Sequence, residues 1–87
     1  MVSEKIVVKN PSGIHARPAS LFVSTAGKFT SKLTVIKDGK SINGKSIIAV
    51  LSAFITCGSE IELILDGPDE QAALDTLLEL IHSGLGE

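Results

Sequence analysis

The stretch KLTVIKDGKSIN, residues 32–43, decides the fold because it predicts two strands joined by a tight turn. A two-residue hairpin turn needs two residues with positive φ, and Asp-Gly pairs supply them readily. Asp38 and Gly39 stand in the middle of the stretch, and Asn43-Gly44 breaks the second strand. The sheet that contains this hairpin is therefore predicted to be antiparallel.

Two further segments, one on each side of the hairpin, have strand patterns. Residues 4–10, EKIVVKN, are rich in β-branched side chains and run into Asn-Pro-Ser-Gly, which is typical of a loop. Residues 59–67, SEIELILDG, alternate between polar and apolar side chains, with Ile61, Leu63 and Leu65 on one face. Together with the hairpin, these segments predict a sheet of four strands.

Two segments have the helical spacing of apolar residues, in which positions i, i+3, i+4 and i+7 share one face. The first covers residues 16–28, and Gly27 marks its expected end. The second begins with acidic residues and is closed by His82 and Gly84. The apolar faces consist of Ala19, Phe22, Val23 and Ala26 in the first segment and of Leu74, Leu77, Leu78 and Ile81 in the second.

A third helix is predicted at residues 47–52, because Ser46 is a good N-cap residue. The β-branched side chains of this segment also suit a strand, so both interpretations remain open. With the helix, the order of elements is βαββαβα. This order predicts an α+β fold, an open-faced β-sandwich in which a four-stranded antiparallel sheet carries three helices on one face.

The composition limits the classes of function. The chain has 87 residues, of which 44% are hydrophobic, so it can bury one core and is expected to form a single domain, 1–87. A net charge of −2, with three Phe and no Trp or Tyr, excludes the basic, aromatic face of a nucleic-acid binder. The longest apolar run, residues 47–51, is too short for membrane insertion. A lone Cys57 and the lack of a signal-peptide pattern favour a reducing, cytoplasmic setting.

The stretch GIHARPAS, residues 13–20, groups one of the two histidines with the single arginine. If a helix begins at His15 or just after it, the amides of Ala16 and Arg17 have no partner within the helix. The amino end of a helix carries partial positive charge and suits an anion such as a phosphate. Arg17 can add a guanidinium that binds phosphate oxygens in bidentate fashion.

His15 lies where these groups converge. Its neutral imidazole is available near neutral pH and is a nucleophile that can accept a phosphoryl group. Gly13 allows a sharp turn before the site, and Pro18 in the first turn needs no N–H. No second His, Cys or carboxylate lies at ligand spacing, so we expect no metal and no cofactor. From the residues alone, a capping His15 and a solvated Arg17 remain the alternative.

Three stretches carry a resemblance to a known family. GIHARPASLFV (13–23) resembles the active-site stretch of the HPr family of the bacterial phosphotransferase system. NGKSIIAVLS (43–52) is similar to its second signature, and GPDEQAAL (67–74) to the start of its last helix. The resemblance covers essentially the whole chain. It implies an open-faced β-sandwich that accepts a phosphoryl group from phosphorylated enzyme I and passes it to enzyme IIA domains in sugar uptake.

The resemblance also implies roles for single residues. His15 would be phosphorylated on Nδ1, and Arg17 would stabilise the moving charge, together with the backbone N–H groups of Ala16 and Arg17. Ser46 matches a serine that HPr kinase/phosphorylase modifies in low-GC Gram-positive bacteria, where the phosphoserine form binds the catabolite control protein. A plain N-cap is the alternative for Ser46.

The partner interface is predicted from the short third helix and from the first helix. Ile47 and Leu51 are expected to dock enzyme I and enzyme IIA, with Ser20 and Arg17 at the rim. Ile48, Ala49 and Leu51 depart from the Met, Gly and Met usual in the family, and because methionine adapts to more partners, these departures predict a narrower partner range. The resemblance further suggests a monomer.

Two other functions compete with the carrier. One is a small-ligand binding module that uses the edge of its sheet or a dimer interface, and the other is a purely regulatory protein that acts through Ser46. A family relative with glutamine in place of the histidine lacks the carrier role, and this chain retains His15.

Overall fold

The computed structural model describes all 87 residues and contains the predicted elements in the predicted order. The four strands are β1 (Val2–Val7), β2 (Lys32–Lys37), β3 (Lys40–Asn43) and β4 (Glu60–Asp66). The three helices are α1 (Ala16–Ala26), α2 (Ile47–Ser52) and α3 (Glu70–His82). The segment after Ser46 is a helix, so its alternative interpretation as a strand is wrong. The first strand begins and ends earlier than the predicted 4–10.

The sheet is antiparallel throughout, with the strand order β1-β4-β2-β3. β4 lies inside the sheet, where Leu63 is opposite Glu4 of β1 on one side and opposite Val35 of β2 on the other. The hairpin turn between β2 and β3 has the predicted positive φ values, 53° at Asp38 and 78° at Gly39. The hairpin prediction is therefore confirmed.

One face of the sheet and the inner faces of the helices form a continuous core. β4 alternates as predicted, since Ile61, Leu63 and Leu65 are buried. From the helices, Phe22 of α1 and Leu77 of α3 are fully buried in the same cluster. Since α1 packs against both α2 and α3, the three helices cover one face, and the predicted open-faced β-sandwich is confirmed.

The longest helix, α3, has 13 residues. None of the three helices combines the length and the apolarity that crossing a membrane requires.

Candidate functional site

The loop that leads into α1 is held against the backbone of residues 55–56. Gly13 has φ +62°, and a Cβ there would lie 2.3 Å from the Ile55 carbonyl oxygen and 2.7 Å from the Thr56 Cα. The amide of Ile14 donates to the Ile55 carbonyl at 2.9 Å, and the Ile14 side chain is buried. Glycine is therefore required at position 13 for close approach as well as for the turn that the sequence predicted.

His15 follows this anchored loop and is exposed at the start of α1. It is the N-cap residue, with extended φ −139° and ψ 152°, but its side chain makes no capping hydrogen bond. The interpretation of His15 as a side-chain cap is therefore wrong. The imidazole is therefore accessible to a group that approaches from solution.

The backbone donors next to His15 are also free. Neither the Ala16 amide nor the Arg17 amide donates to an acceptor outside α1, and residues of a first helical turn have no acceptor within it. Ala16 has φ 48°, a left-handed conformation that costs a non-glycine residue about 1–2 kcal/mol. The amino end of α1 thus combines unused donors with a strained backbone, and no acidic side chain occupies its first turn.

The remaining residues of the predicted site lie on the first two turns of α1. Arg17 is exposed and Pro18 is buried, which agrees with a first-turn proline that faces the core. Ser20 is exposed three positions after Arg17, so the two side chains share one helix face. None of the three surface grooves of the molecule is lined by His15 or Arg17. The site is therefore open surface, which suits a macromolecular partner better than an enclosed small substrate.

A cluster of three residues that sequence reasoning missed supports the loop before His15. The Glu87 carboxylate accepts hydrogen bonds from the Ser12 hydroxyl at 2.6 Å, the Asn10 side-chain amide at 2.8 Å and the Ser12 backbone amide at 3.1 Å. These donors, the Ser12 hydroxyl above all, lower the pKa of the Glu87 carboxyl. Asn10 also donates to the Gly13 carbonyl at 2.7 Å. No local pattern could have indicated this cluster, because Ser12 and Glu87 are 75 residues apart in the chain.

Ser46 is the N-cap of α2, as its position in the sequence predicted. Its hydroxyl oxygen accepts from the Ala49 amide at 3.2 Å, and its side chain is half-buried. The neighbouring Lys45 ammonium donates to the Phe29 carbonyl at 2.5 Å. This contact ties the start of α2 to the segment that follows α1.

The exposed side of α2 carries apolar side chains, but not in the order that the sequence predicted. Ile47 is 37% exposed, whereas Leu51 is half-buried and packs against the core. Ile48, which lay outside the predicted docking pair, is 74% exposed, and Val50 is fully buried. The periodicity of a six-residue helix could not distinguish these orientations, since nearly all its positions are apolar.

Comparison with known proteins assigns the chain to a family. Residues 2–83 match the family model PTS-HPr, described as the PTS HPr component phosphorylation site. The phosphocarrier protein HPr of Treponema pallidum is 42% identical over 87 residues, which cover 100% of this chain and 99% of that protein. The HPr-like protein Crh of Halalkalibacterium halodurans is 47% identical over 82 residues, which cover 94% of this chain and 98% of that protein.

Solved structures agree with this assignment. HPr-C-His from Thermoanaerobacter tengcongensis has a TM-score of 0.98 and 45% identity, and the alignment covers 100% of this chain and 98% of the other. A structure described as an HPr dimer from the same organism has a TM-score of 0.80 and 45% identity, with 100% of both chains covered.

Proposed function

The chain belongs to the HPr family of phosphocarrier proteins of the phosphotransferase system, and we propose that His15 is its phosphoryl acceptor. In this proposal His15 takes the phosphoryl group from phosphorylated enzyme I and passes it to enzyme IIA domains in sugar uptake. The protein is then a carrier that two enzymes use in turn, and it does not turn over a small molecule itself. We place this relay in the cytoplasm.

The main observation behind the proposal is that the hydrogen-bonding groups at the amino end of α1 have no protein partner. The His15 side chain is exposed and makes no capping bond, and the Ala16 and Arg17 amides have no acceptor outside the helix. An incoming phosphoryl group can therefore use these donors without displacing a protein partner. Backbone donors at a helix amino end favour an anion by geometry and by partial charge.

The transfer itself is an exchange of one bond to phosphorus for another. The lone pair of His15 Nδ1 attacks the phosphorus, and the bond from phosphorus to enzyme I breaks as the P–N bond forms. The other ring nitrogen keeps its proton. Arg17 is exposed in the first turn of the same helix, and its guanidinium would stabilise the oxygens whose charge changes during transfer. On the enzyme IIA domain a nucleophilic side chain attacks the same phosphorus, the P–N bond breaks as the new bond forms, and the imidazole is regenerated.

Partner docking is proposed for the apolar surface of α2, which packs beside α1. Ile47 and Leu51 remain the proposed contacts, with Ser20 and Arg17 at the rim. The 74% exposure of Ile48 supports its addition to this surface. Phosphoryl relay needs brief contacts, and a small apolar patch fits a weak interface of low area. We expect the chain to act as a monomer in these encounters, and sedimentation at working concentration tests that expectation.

A second, regulatory function is proposed for Ser46. Its hydroxyl already caps α2, so a phosphate there could keep the capping contact while it adds nearly two negative charges next to Ile47. Acidic partners would then be repelled from the docking surface. HPr kinase/phosphorylase and the catabolite control protein are the proposed partners of this state. The similarity to a relative named as an HPr-like Crh protein supports this candidate.

The carrier function is tested with purified enzyme I and phosphoenolpyruvate, followed by phosphorus NMR. We expect one acid-labile, base-stable phosphate on the wild type and none on His15→Ala. His82→Ala is the matched control, because His82 is the other histidine and is exposed at the end of α3. A phosphate that persists on His15→Ala would assign the nucleophile to another residue.

The regulatory function has a separate test with ATP and HPr kinase/phosphorylase. We expect an acid-stable phosphate that Ser46→Ala abolishes and Ser52→Ala retains. A wild-type chain that takes no phosphate from ATP under these conditions would remove the second candidate and leave the carrier function unaffected.

A further inference from the structure

A groove of about 400 Å³ lies between the β2–β3 hairpin and α2. Its apolar lining comes from Ile42 on β3, from Ala49 on α2, and from Ala53 and Phe54 just after that helix. α2 packs against α1 and also against β3, and the groove follows its β3 side. The groove is therefore distinct from the His15 site, whose residues line no part of it.

Phe54 lines this groove with a strained backbone, which destabilises the folded chain. Its φ is 52°, a left-handed conformation that a bulky side chain rarely adopts and that glycine usually supplies after a helix. Its ring is 77% exposed, so burial contributes little to offset the cost. The other two phenylalanines are fully or partly buried, which makes Phe54 the single exposed phenylalanine.

The charge around the groove has the opposite sign to that of the protein. Lys37 and Lys40 line it together with one acidic residue, Asp38, while the whole chain has a net charge of −2. Lys37 is paired with Asp38 at 3.0 Å. Lys40 is exposed and forms no ion pair, so it is available to a carboxylate from outside.

We propose that the groove between the hairpin and α2 is a second docking surface, which binds an acidic segment of a partner protein that places one aliphatic side chain against Phe54. The positive charge of Lys40 favours an acidic segment, because a carboxylate of that segment pairs with the Lys40 ammonium. The neighbouring aliphatic side chain of the segment then packs against the apolar residues that line the groove. An extended segment suits this surface better than a free small molecule does, since small-molecule sites bury most of their ligand, whereas Phe54 and Lys40 of this groove are exposed.

The first test separates a functional Phe54 from a structural one by the sign of its effect on stability. Phe54→Gly relieves the strain of the left-handed backbone and should raise Tm by roughly 2–8 °C. The greater conformational freedom of glycine in the unfolded chain offsets part of this gain. Phe54→Ala keeps the strain and removes the ring, and Tm should change by less than about 2 °C. A fall of Tm in both variants would make the ring a structural element and would overturn the proposal.

The second test measures binding by amide chemical shifts of the ¹⁵N-labelled protein. The probe is the peptide acetyl-Glu-Asp-Leu-Glu-Asp-amide, and a Kd on the order of 1 mM is expected, with shifts at Ile42, Ala49 and Phe54. Phe54→Gly should weaken binding at least tenfold, and Lys40→Gln should weaken it severalfold and reduce its salt dependence. Two control peptides should not bind, one with serine for the leucine and one with lysine for every acidic residue.

Other outcomes of the titration contradict the proposal. Saturable shifts confined to residues 15–20 and 47–51 would assign acidic segments to the carrier site instead. Equal binding of the lysine-substituted peptide would show that charge does not select the occupant. Concentration-dependent dimerisation that Phe54→Gly abolishes would identify a second copy of the chain as the occupant. Loss of phosphoryl uptake by His15→Ala bears on the carrier function alone and does not affect this test.

Discussion

The amino ends of α1 and α3 both follow a loop that contains glycine and proline, yet their hydrogen bonds are arranged in opposite ways. At α1 the His15 side chain and the two following amides have no partner outside the helix. At α3 the Asp69 carboxylate accepts from the Thr30 amide, the Ser31 amide and the Ser31 hydroxyl. One helix end is left open to solution, and the other is joined to a neighbouring loop.

The bonds to Asp69 connect parts of the chain that are distant in sequence. Ser31 is fully buried and begins the segment that leads into β2, so the bonds join α3 to the sheet. The Ser31 hydroxyl first, and then the Thr30 amide, lower the pKa of the Asp69 carboxyl to about 2. Gly67 allows this approach, because a Cβ there would lie 2.6 Å from the Ser31 hydroxyl oxygen.

The comparison shows how one small fold divides stability from chemistry. The Asp69 carboxylate at the start of α3 has its hydrogen bonds made and stabilises the folded chain. The unpaired amides at the start of α1 contribute nothing to stability until an anion arrives. Substitutions at the amino end of α1 should therefore change phosphoryl transfer, and substitutions at the amino end of α3 should change the free energy of unfolding.

The largest expected effect is that of His15→Ala. Phosphoryl uptake should fall by more than about 10³-fold, because the nucleophile is removed. Tm should remain within about 2 °C of the wild type, because an exposed side chain that makes no hydrogen bonds contributes little to stability. Calorimetry with a phosphate-transfer assay measures both effects. A large fall in Tm would show that the α1 end is structural after all.

Arg17→Ala is expected to slow transfer by roughly 10²-fold, the usual loss when one donor to a developing charge is removed. Arg17→Lys should recover part of the rate, because charge is retained while bidentate geometry is lost. Rapid-quench transfer from phosphorylated enzyme I gives the rates. Equal rates for the alanine variant and the wild type would leave the backbone amides as the main anion donors.

Gly13→Ala should destabilise the fold by about 1–3 kcal/mol, because strain at positive φ adds to a clash with the Ile55 carbonyl. Gly39→Ala is the matched control: it also has positive φ, but a Cβ there meets nothing within 4 Å, and its cost should be smaller. Urea unfolding measures both variants. Equal costs would mean that close approach at residue 13 is unimportant.

Asp69→Asn should lower stability at neutral pH, in contrast to the variants at the open end. The folded-state pKa of Asp69, about 2, lies below its ordinary value of 3.8. Its contribution is therefore present above about pH 4 and is lost as the pH falls towards 2. The wild type should lose more stability over this interval than Asp69→Asn does, in urea titrations at several pH values. Asp75→Asn, on the exposed face of α3, should follow the wild type.

The smallest effect is expected for Glu87→Gln, which alters the support of the loop before His15. The lowered pKa of Glu87 means that its contribution is present above its ordinary pKa of 4.5 and is lost in acid. The variant should show faster amide exchange at Ser12, while phosphoryl uptake falls by less than about threefold. Glu79→Gln, at an exposed position of α3, is the control. Unchanged exchange at Ser12 would indicate that the cluster does not restrain the loop.

Most of the elements could be predicted from local patterns. The alternation in β4, the Asp38-Gly39 turn and the Ser46 cap all act within a few residues, and each was found as predicted. The position of His15 at the start of α1 was likewise predictable, because a first-turn proline and the apolar period that follows it mark a helix start.

Other features of the site had no local signal. Ala16 adopts positive φ although alanine has no preference for it, because the anchored Gly13–Ile14 loop and α1 together determine the path between them. The exposure of Ile48 rather than Leu51 depends on which side of α2 meets α1 and β3. Because nearly all residues of α2 are apolar, its sequence does not indicate which side of the helix faces the core.

The amino-acid sequence alone determined the type and order of the elements and the grouping of His15 with Arg17, because turn, cap and period rules act over three or four residues. The tertiary structure decided the strand order β1-β4-β2-β3, the Ser31–Asp69 bonds across 38 residues and the Ser12–Glu87 bonds across 75. Such contacts form only after the core has brought distant segments together, and the same packing leaves the donors beside His15 without partners.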